Sequence, residues 1–350
     1  MYYKEMQMYN RENDEEFNNN EETEKEFGEG LYQDRDIGLK IPVPVILFLL
    51  AILALSVVGL IRFPGVFKDY KVYKTAEMRI ENGDTYETLN DLFEITEKYP
   101  SSLPIIMLTT KKCMENGFYD SAAYIINTYI VGKNLYDHNY NLVENYVDKL
   151  DQYYHTLDSI DIIFEELSDD QMSDSEYGDI ICEKLKGLLD EEDLDQSIVC
   201  YYLAMFEEDV EKAVEYLEKC YDLDPNCYDV CVQLGVFCRR AGDYKKARKY
   251  TNKALGKDRK DSGALRALAI LDMLEGKLEE GLINAQLAYD SYGDGMYVRE
   301  TYMIALHFNG KTGEADLIMK EINENQGNID EDTQLLLDGD ISLEEYYVEG

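Results

Sequence analysis

Across residues 228–261, YDVCVQLGVFCRRAGDYKKARKYTNKALGKDRKD, apolar or small side chains fall at Cys231, Leu234, Gly235 and Cys238. That is the spacing of one helical face. Gly242–Asp243 ends the run, because glycine accepts the left-handed conformation in which helices commonly stop. Helical spacing restarts with Tyr244, Ala247, Thr251, Ala254 and Leu255. The stretch predicts a helix, a tight turn and a second helix. The same punctuation recurs at a step of 34 residues, at Gly242, Gly276 and Gly310. Two further ladders keep that step: Ala213, Ala247, Gly281 and Ala315, then Cys220, Ala254, Ala288 and Ile322. Gly83 and Gly117 stand 34 apart as well, with Ala76, Pro100 and Ala122 in register. A fixed period of this length predicts stacked repeats. One helix pair cannot bury its faces alone, so neighbours must stack, and the small residues at Gly235, Ala247 and Ala254 let crossing backbones come close.

A helix pair of 34 residues with small residues at its eighth, twentieth and twenty-seventh positions resembles the tetratricopeptide repeat. In that register unit 194–227 ends LDPN, with Pro225 in the family's proline position, and unit 262–295 carries Leu265, Leu268, Ala269, Gly281 and Ala288. Unit 296–329 departs from the pattern at Met303 and Ile322, and the family's tryptophan is absent throughout. The resemblance covers most of residues 69–329 and implies an all-α fold, an α-α superhelix or solenoid. It divides the chain into helix pairs at 69–136, divergent acidic helices and a loop at 137–193, four repeats at 194–329, and an acidic cap or tail at 330–350. The loop is expected within LSDDQMSDSEYGD.

Ahead of the repeats the pattern changes twice. Residues 1–40 are polar and acidic, with little to bury, and are expected to be a disordered tail. Residues 41–61 carry no charge, and a helix of that length spans roughly 31 Å, enough for a bilayer's hydrocarbon core. A transmembrane helix is therefore expected at 41–62, with Phe63-Pro64-Gly65 as its stop. Five Lys and Arg in residues 62–80, against three in 20–40, place the repeats on the cytoplasmic side. The alternative puts them outside, as a cell-envelope assembly or secretion factor.

The chain has 350 residues and a net charge of −38, which argues against general nucleic-acid binding. Thirty tyrosines and no tryptophan give tyrosine most of the aromatic packing. Cys220, Cys227, Cys231 and Cys238 lack the spacing of a zinc knuckle and fall at packing positions of the repeat. The three histidines share no ligand or triad spacing, and no phosphate loop or nucleophile motif is present. No metal, cofactor or catalytic role is expected, and the chain is read as non-enzymatic.

Two features point to binding. Residues 239–266 hold eleven Lys and Arg against three acidic residues, led on the second helix by Lys245, Lys246, Arg248 and Lys249. This island is either a solvated face paired with acidic neighbours or a dock for an acidic peptide, anionic lipid or one of the chain's own tails. The resemblance also implies a concave groove built from the first helix of each unit. Its lining would be Tyr202, Met205, Val236, Arg239, Arg240, Arg266, Ile270, Met273, Ile304, His307 and Phe308. Apolar anchors mixed with arginines suit a peptide that carries negative charge. The function expected is a membrane-anchored scaffold that recruits a protein or peptide partner; a second alternative makes the repeats an arm regulated by lipid or tail through the basic island.

Overall fold

A computed structural model describes residues 42–133, 135, 137–167, 174–227, 229–293, 295–325 and 329–349. The tail expected at 1–40 and residues 168–173 of the loop expected at 167–179 lie outside them; the rest of that stretch is helical, not loop, with Leu167 ending one helix and Asp174 opening the next. The chain divides into two units, residues 1–61 and 62–350. In the first, the described residues are helical from Val43, and Leu47, Phe48 and Leu55 are exposed. Helical backbone is assigned over Val43–Glu81 (α1), with a break between Gly59 and Ile61. Among the described residues no single helix is long and apolar enough to cross a membrane; the two parts of α1 meet that test only together.

The second unit is a stack of helix pairs. The expected stop at Pro64 does not occur, because helix continues through it to Glu81. Pro64 falls in the first turn after the break, where a missing N–H has no intrahelical partner to lose. The end of α1 pairs with α2 (Thr85–Lys98), and α3 (Leu103–Glu115) with α4 (Tyr119–Ile125), which widens into a π-helical turn at Ile126–Ile130. The register then breaks into a long α5 (Asp137–Leu167) and α6 (Asp174–Leu188). Four pairs follow: α7 (Gln196–Phe206) with α8 (Val210–Leu223), α9 (Val230–Arg240) with α10 (Tyr244–Lys257), α11 (Ser262–Leu274) with α12 (Leu278–Tyr292), and α13 (Met296–Phe308) with α14 (Thr312–Asn325). A short α15 (Glu331–Asp338) and a π-helical turn at Glu345–Glu349 end the chain. From α2 to α14 each helix packs on the next, and α9, α11 and α13 also pack in series, as stacked first helices must in a solenoid. Among the described residues there is no strand, only an isolated bridge between Asp84 and Asp258. The all-helical solenoid expected from the 34-residue pattern is present.

The glycine ladder sets the turns. Gly83, Gly117, Gly242, Gly276 and Gly310 all have φ between 73° and 80°. At Gly242 the chain makes the two bonds of a Schellman stop, with the Gly242 N–H donating to the Arg239 carbonyl and the Asp243 N–H to that of Cys238. The Asp243 side chain then accepts from the Lys246 N–H and starts α10. A short turn capped on both sides sends the chain straight into its partner helix. The small residues do what their spacing predicts: a Cβ on Gly235 would lie 2.4 Å from Thr251 Oγ1, and one on Gly281 would lie 2.7 Å from Met273 Cγ.

Candidate peptide-binding face

The first helices of the last four pairs bring the expected lining residues into one series, but most of these are not free. Ile270, Met273 and Ile304 are fully buried, within one apolar cluster that also contains Leu336 and Tyr347. Arg239 is only 6 % exposed. These four correct the expectation of an open groove along α9, α11 and α13. Val236, His307 and Phe308 are half-buried, His307 and Phe308 lying edge to face at 5.5 Å. Arg240 is exposed and sits 5.6 Å from the Phe237 ring. Further along, Tyr202 and Met205 on α7 are half-buried, and the Tyr202 ring packs at 5.9 Å on Phe164 of α5. The divergent helix therefore borders that end of the face, which the repeat register could not foresee.

What covers α9, α11 and α13 is the chain's own C-terminus. Gly339, at φ 81°, ends α15 and turns the backbone back. The turn at Glu345–Glu349 packs on α9 and α15. Arg239 Nη1 donates to the Tyr347 carbonyl, and its guanidinium lies 5.7 Å from the centre of the Tyr347 ring. The Tyr244 hydroxyl donates to Glu344 at 3.2 Å. Thr333 on α15 donates to Glu300 on α13 at 2.6 Å and shares a hydrogen bond with the Tyr346 hydroxyl at 2.7 Å. Tyr346 and Tyr347 lie edge to face at 4.8 Å. Arg266 turns to α13 instead, its Nε donating to the Tyr297 carbonyl at 3.1 Å and to Thr301 at 2.9 Å.

The electrostatics under this segment are unbalanced. Burial and the charges of Arg266 and Arg240 push the Arg239 guanidinium down to about 10. Its Nε is buried with no hydrogen-bond partner, and among the described residues no carboxylate pairs with it. Burial raises Glu300 as well, with the Thr333 hydroxyl and Arg266 working the other way. Burial pushes the Tyr347 phenol up to about 12.

The basic island is organised differently from the face. Lys246 pairs with Glu218 of α8 at 3.1 Å, and Arg248 reaches Asp272 at 2.8 Å and Glu275 at 3.0 Å across to α11. Lys249 lies 4.9 Å from the centre of the Tyr250 ring, and Lys245 is exposed. Two of the four cations thus join neighbouring repeats along the stack. Such pairs hold a register and contribute little to stability where exposed.

The cysteines are all buried, and burial raises the thiol of Cys113 to about 12 and that of Cys238 to about 11. Thiols so placed are poor nucleophiles at neutral pH. Among the described residues no three His, Cys, Asp or Glu are grouped to hold a metal ion.

Repeat spacing could not reveal Tyr346, Tyr347, Thr333 or Glu344 as parts of this face, since all four lie beyond the last unit. A weak sign was present: residues 330–350 hold eight acidic and no basic residues, opposite in sign to the island.

No curated protein matches the sequence. Among solved structures the chain is similar to a double mutant of MamA from RS-1, at 17% identity, TM-score 0.37, over 43% of this chain and 86% of that one. It is also similar to a tetratricopeptide repeat protein from Parabacteroides merdae, at 12% identity, TM-score 0.39, over 80% and 87% of the two chains. YrrB, described as a TPR protein with an unusual peptide-binding site, matches at 14% identity, TM-score 0.35, over 52% and 98%. Residues 204–280, from the end of α7 to the start of α12, match the family model described as tetratricopeptide repeat.

Proposed function

We propose that this chain is a non-enzymatic scaffold whose repeat face recruits a protein or peptide partner at a membrane. The observation that carries the reading is that the face already holds a short peptide segment. Arg239 grips that segment by a backbone carbonyl, and an apolar cluster takes its tyrosine ring. A backbone contact and a ring pocket are the elements by which grooves hold peptides. The uncharged stretch at 42–61, whose large apolar side chains from Val43 to Val58 are exposed, supports the anchor. The excess of Lys and Arg after it supports repeats on the cytoplasmic side. Confinement to one surface would raise the partners' effective concentration without a new contact.

The test is a comparison of proteins cross-linked to the wild type and to Arg240→Glu with His307→Glu, which change residues at the rim of the face. Loss of specific partners with unchanged helicity is the expected result; an unchanged set would remove the face from partner binding. Protease treatment of intact cells carrying a tag at each end reads the sidedness. Cleavage of the N-terminal tag alone is expected, and cleavage of the C-terminal tag would move the repeats outside.

A further inference from the structure

The C-terminal turn is more than a cap on the last repeat. A cap covers the open end of a solenoid, and α15 packed beyond α14 would suffice for that. Residues 341–349 instead travel back past α13 and α11 to α9, two pairs upstream, and lay Tyr347 beside Arg239. The contact they make there is chemically second-best. A guanidinium 94 % removed from solvent would be matched by a carboxylate, in paired charge-assisted hydrogen bonds. It receives one backbone carbonyl and a ring, and its Nε receives nothing. Two acidic side chains of the strap are engaged elsewhere: Glu344 accepts from Tyr244, and Glu345 accepts from the Ser342 N–H. Asp340 precedes the strap at the turn after Gly339.

We propose that residues 341–349 are an internal competitor for the face, and that its external ligand is an acidic peptide with an aromatic residue, whose carboxylate pairs with Arg239. The inference rests on the reading of the face as a peptide site. A ligand that neutralises a buried guanidinium has an advantage over the strap, and the strap, being tethered, has an advantage in effective concentration. The balance makes occupancy conditional: weak carboxylate-free peptides are excluded, and a partner of the right chemistry opens the face by displacing a segment held by few contacts. Displacement frees Tyr244 from Glu344 and Thr333 from Tyr346, while the Thr333–Glu300 hydrogen bond and the buried Leu336 hold α15 on α13.

The test uses a fluorescent peptide of the strap's own sequence, ISLEEYYVEG, and the full chain beside a chain ending at Asp340. Shortening is expected to tighten peptide binding about tenfold or more, as a tethered competitor is removed. Arg239→Ala in the shortened chain is expected to abolish it. A second peptide with Asp in place of the strap's second tyrosine-following residue, Val348→Asp, places an extra carboxylate near Arg239 and is expected to bind the shortened chain more tightly than the first. Should the shortened chain fail to fold, Tyr347→Ala in the full chain loosens the strap with a single side chain, and gain of peptide binding is expected there. Equal binding to full and shortened chains would overturn the strap as competitor while leaving the peptide face standing. No binding by a shortened chain of undiminished helicity would overturn both.

Discussion

Two groups of ladder glycines make the same turn and live in different surroundings. Gly242, Gly276 and Gly310 have open space where a Cβ would stand. Gly83 and Gly117 do not: a Cβ on Gly83 would lie 2.9 Å from the Gly256 carbonyl oxygen, and one on Gly117 would lie 2.2 Å from that of Asn226. The first two turns press on the inter-repeat turns of α8–α9 and α10–α11. Around Gly83 the Arg259 N–H donates to the Gly83 carbonyl and the Thr85 hydroxyl to that of Lys257. Around Gly117 the Asn226 side chain donates to the Glu115 carbonyl, and Tyr119 donates to Asp224. A residue type that serves backbone conformation in one half therefore serves conformation and long-range contact in the other.

Gly117→Ala is the sharpest way to break this contrast. It combines a left-handed φ of 80° with a backbone clash, and should cost about 3 kcal/mol in urea unfolding. A loss no larger than that of Gly242→Ala would mean that the two turns do not meet. Asp224→Asn tests the polar part of the same contact, since Asp224 also pairs with Lys149 at 3.1 Å. Burial opposes the Asp224 carboxylate, but Tyr119, the Asn226 N–H and Lys149 outweigh it and hold its pKa below the ordinary 3.8. A depressed carboxylate stabilises the fold above its unfolded pKa and loses that contribution as pH falls through the folded one. The variant should lose about 2 kcal/mol at neutral pH. The gap to wild type should stay level down to about pH 5 and close only below 3.8; a gap independent of pH would assign the loss to packing. Gly242→Ala is the smallest effect, about 1 kcal/mol, because only the conformational cost remains where space is open.

The same division runs through the face. Its lining positions on α7, α9, α11 and α13 come from the resemblance to the repeat, and the structure buries Arg239, Ile270, Met273 and Ile304 among them. The basic island was legible as a charge reversal, yet its pairing with Glu218, Asp272 and Glu275 required knowing which repeats stand side by side. Arg239 was marked as a groove residue by its position, but its burial depends on a segment over a hundred residues later in the chain. Pro64 misled for a related reason: a proline reads as a stop until the start of its helical segment is known.

The sequence by itself determined the repeat: a 34-residue step of glycine and small residues is a local code, since turn conformation and helix crossing are settled by neighbours a few positions away. It also determined the uncharged stretch at 41–61, because the absence of charge needs no fold to be seen. Only the tertiary structure decided that the second turn of the chain rests on Asn226, and that Tyr347 fills the face beside Arg239. Those contacts join residues that no period relates. They arise from the path of the whole superhelix, which brings the first pairs and the last turn back against the middle repeats.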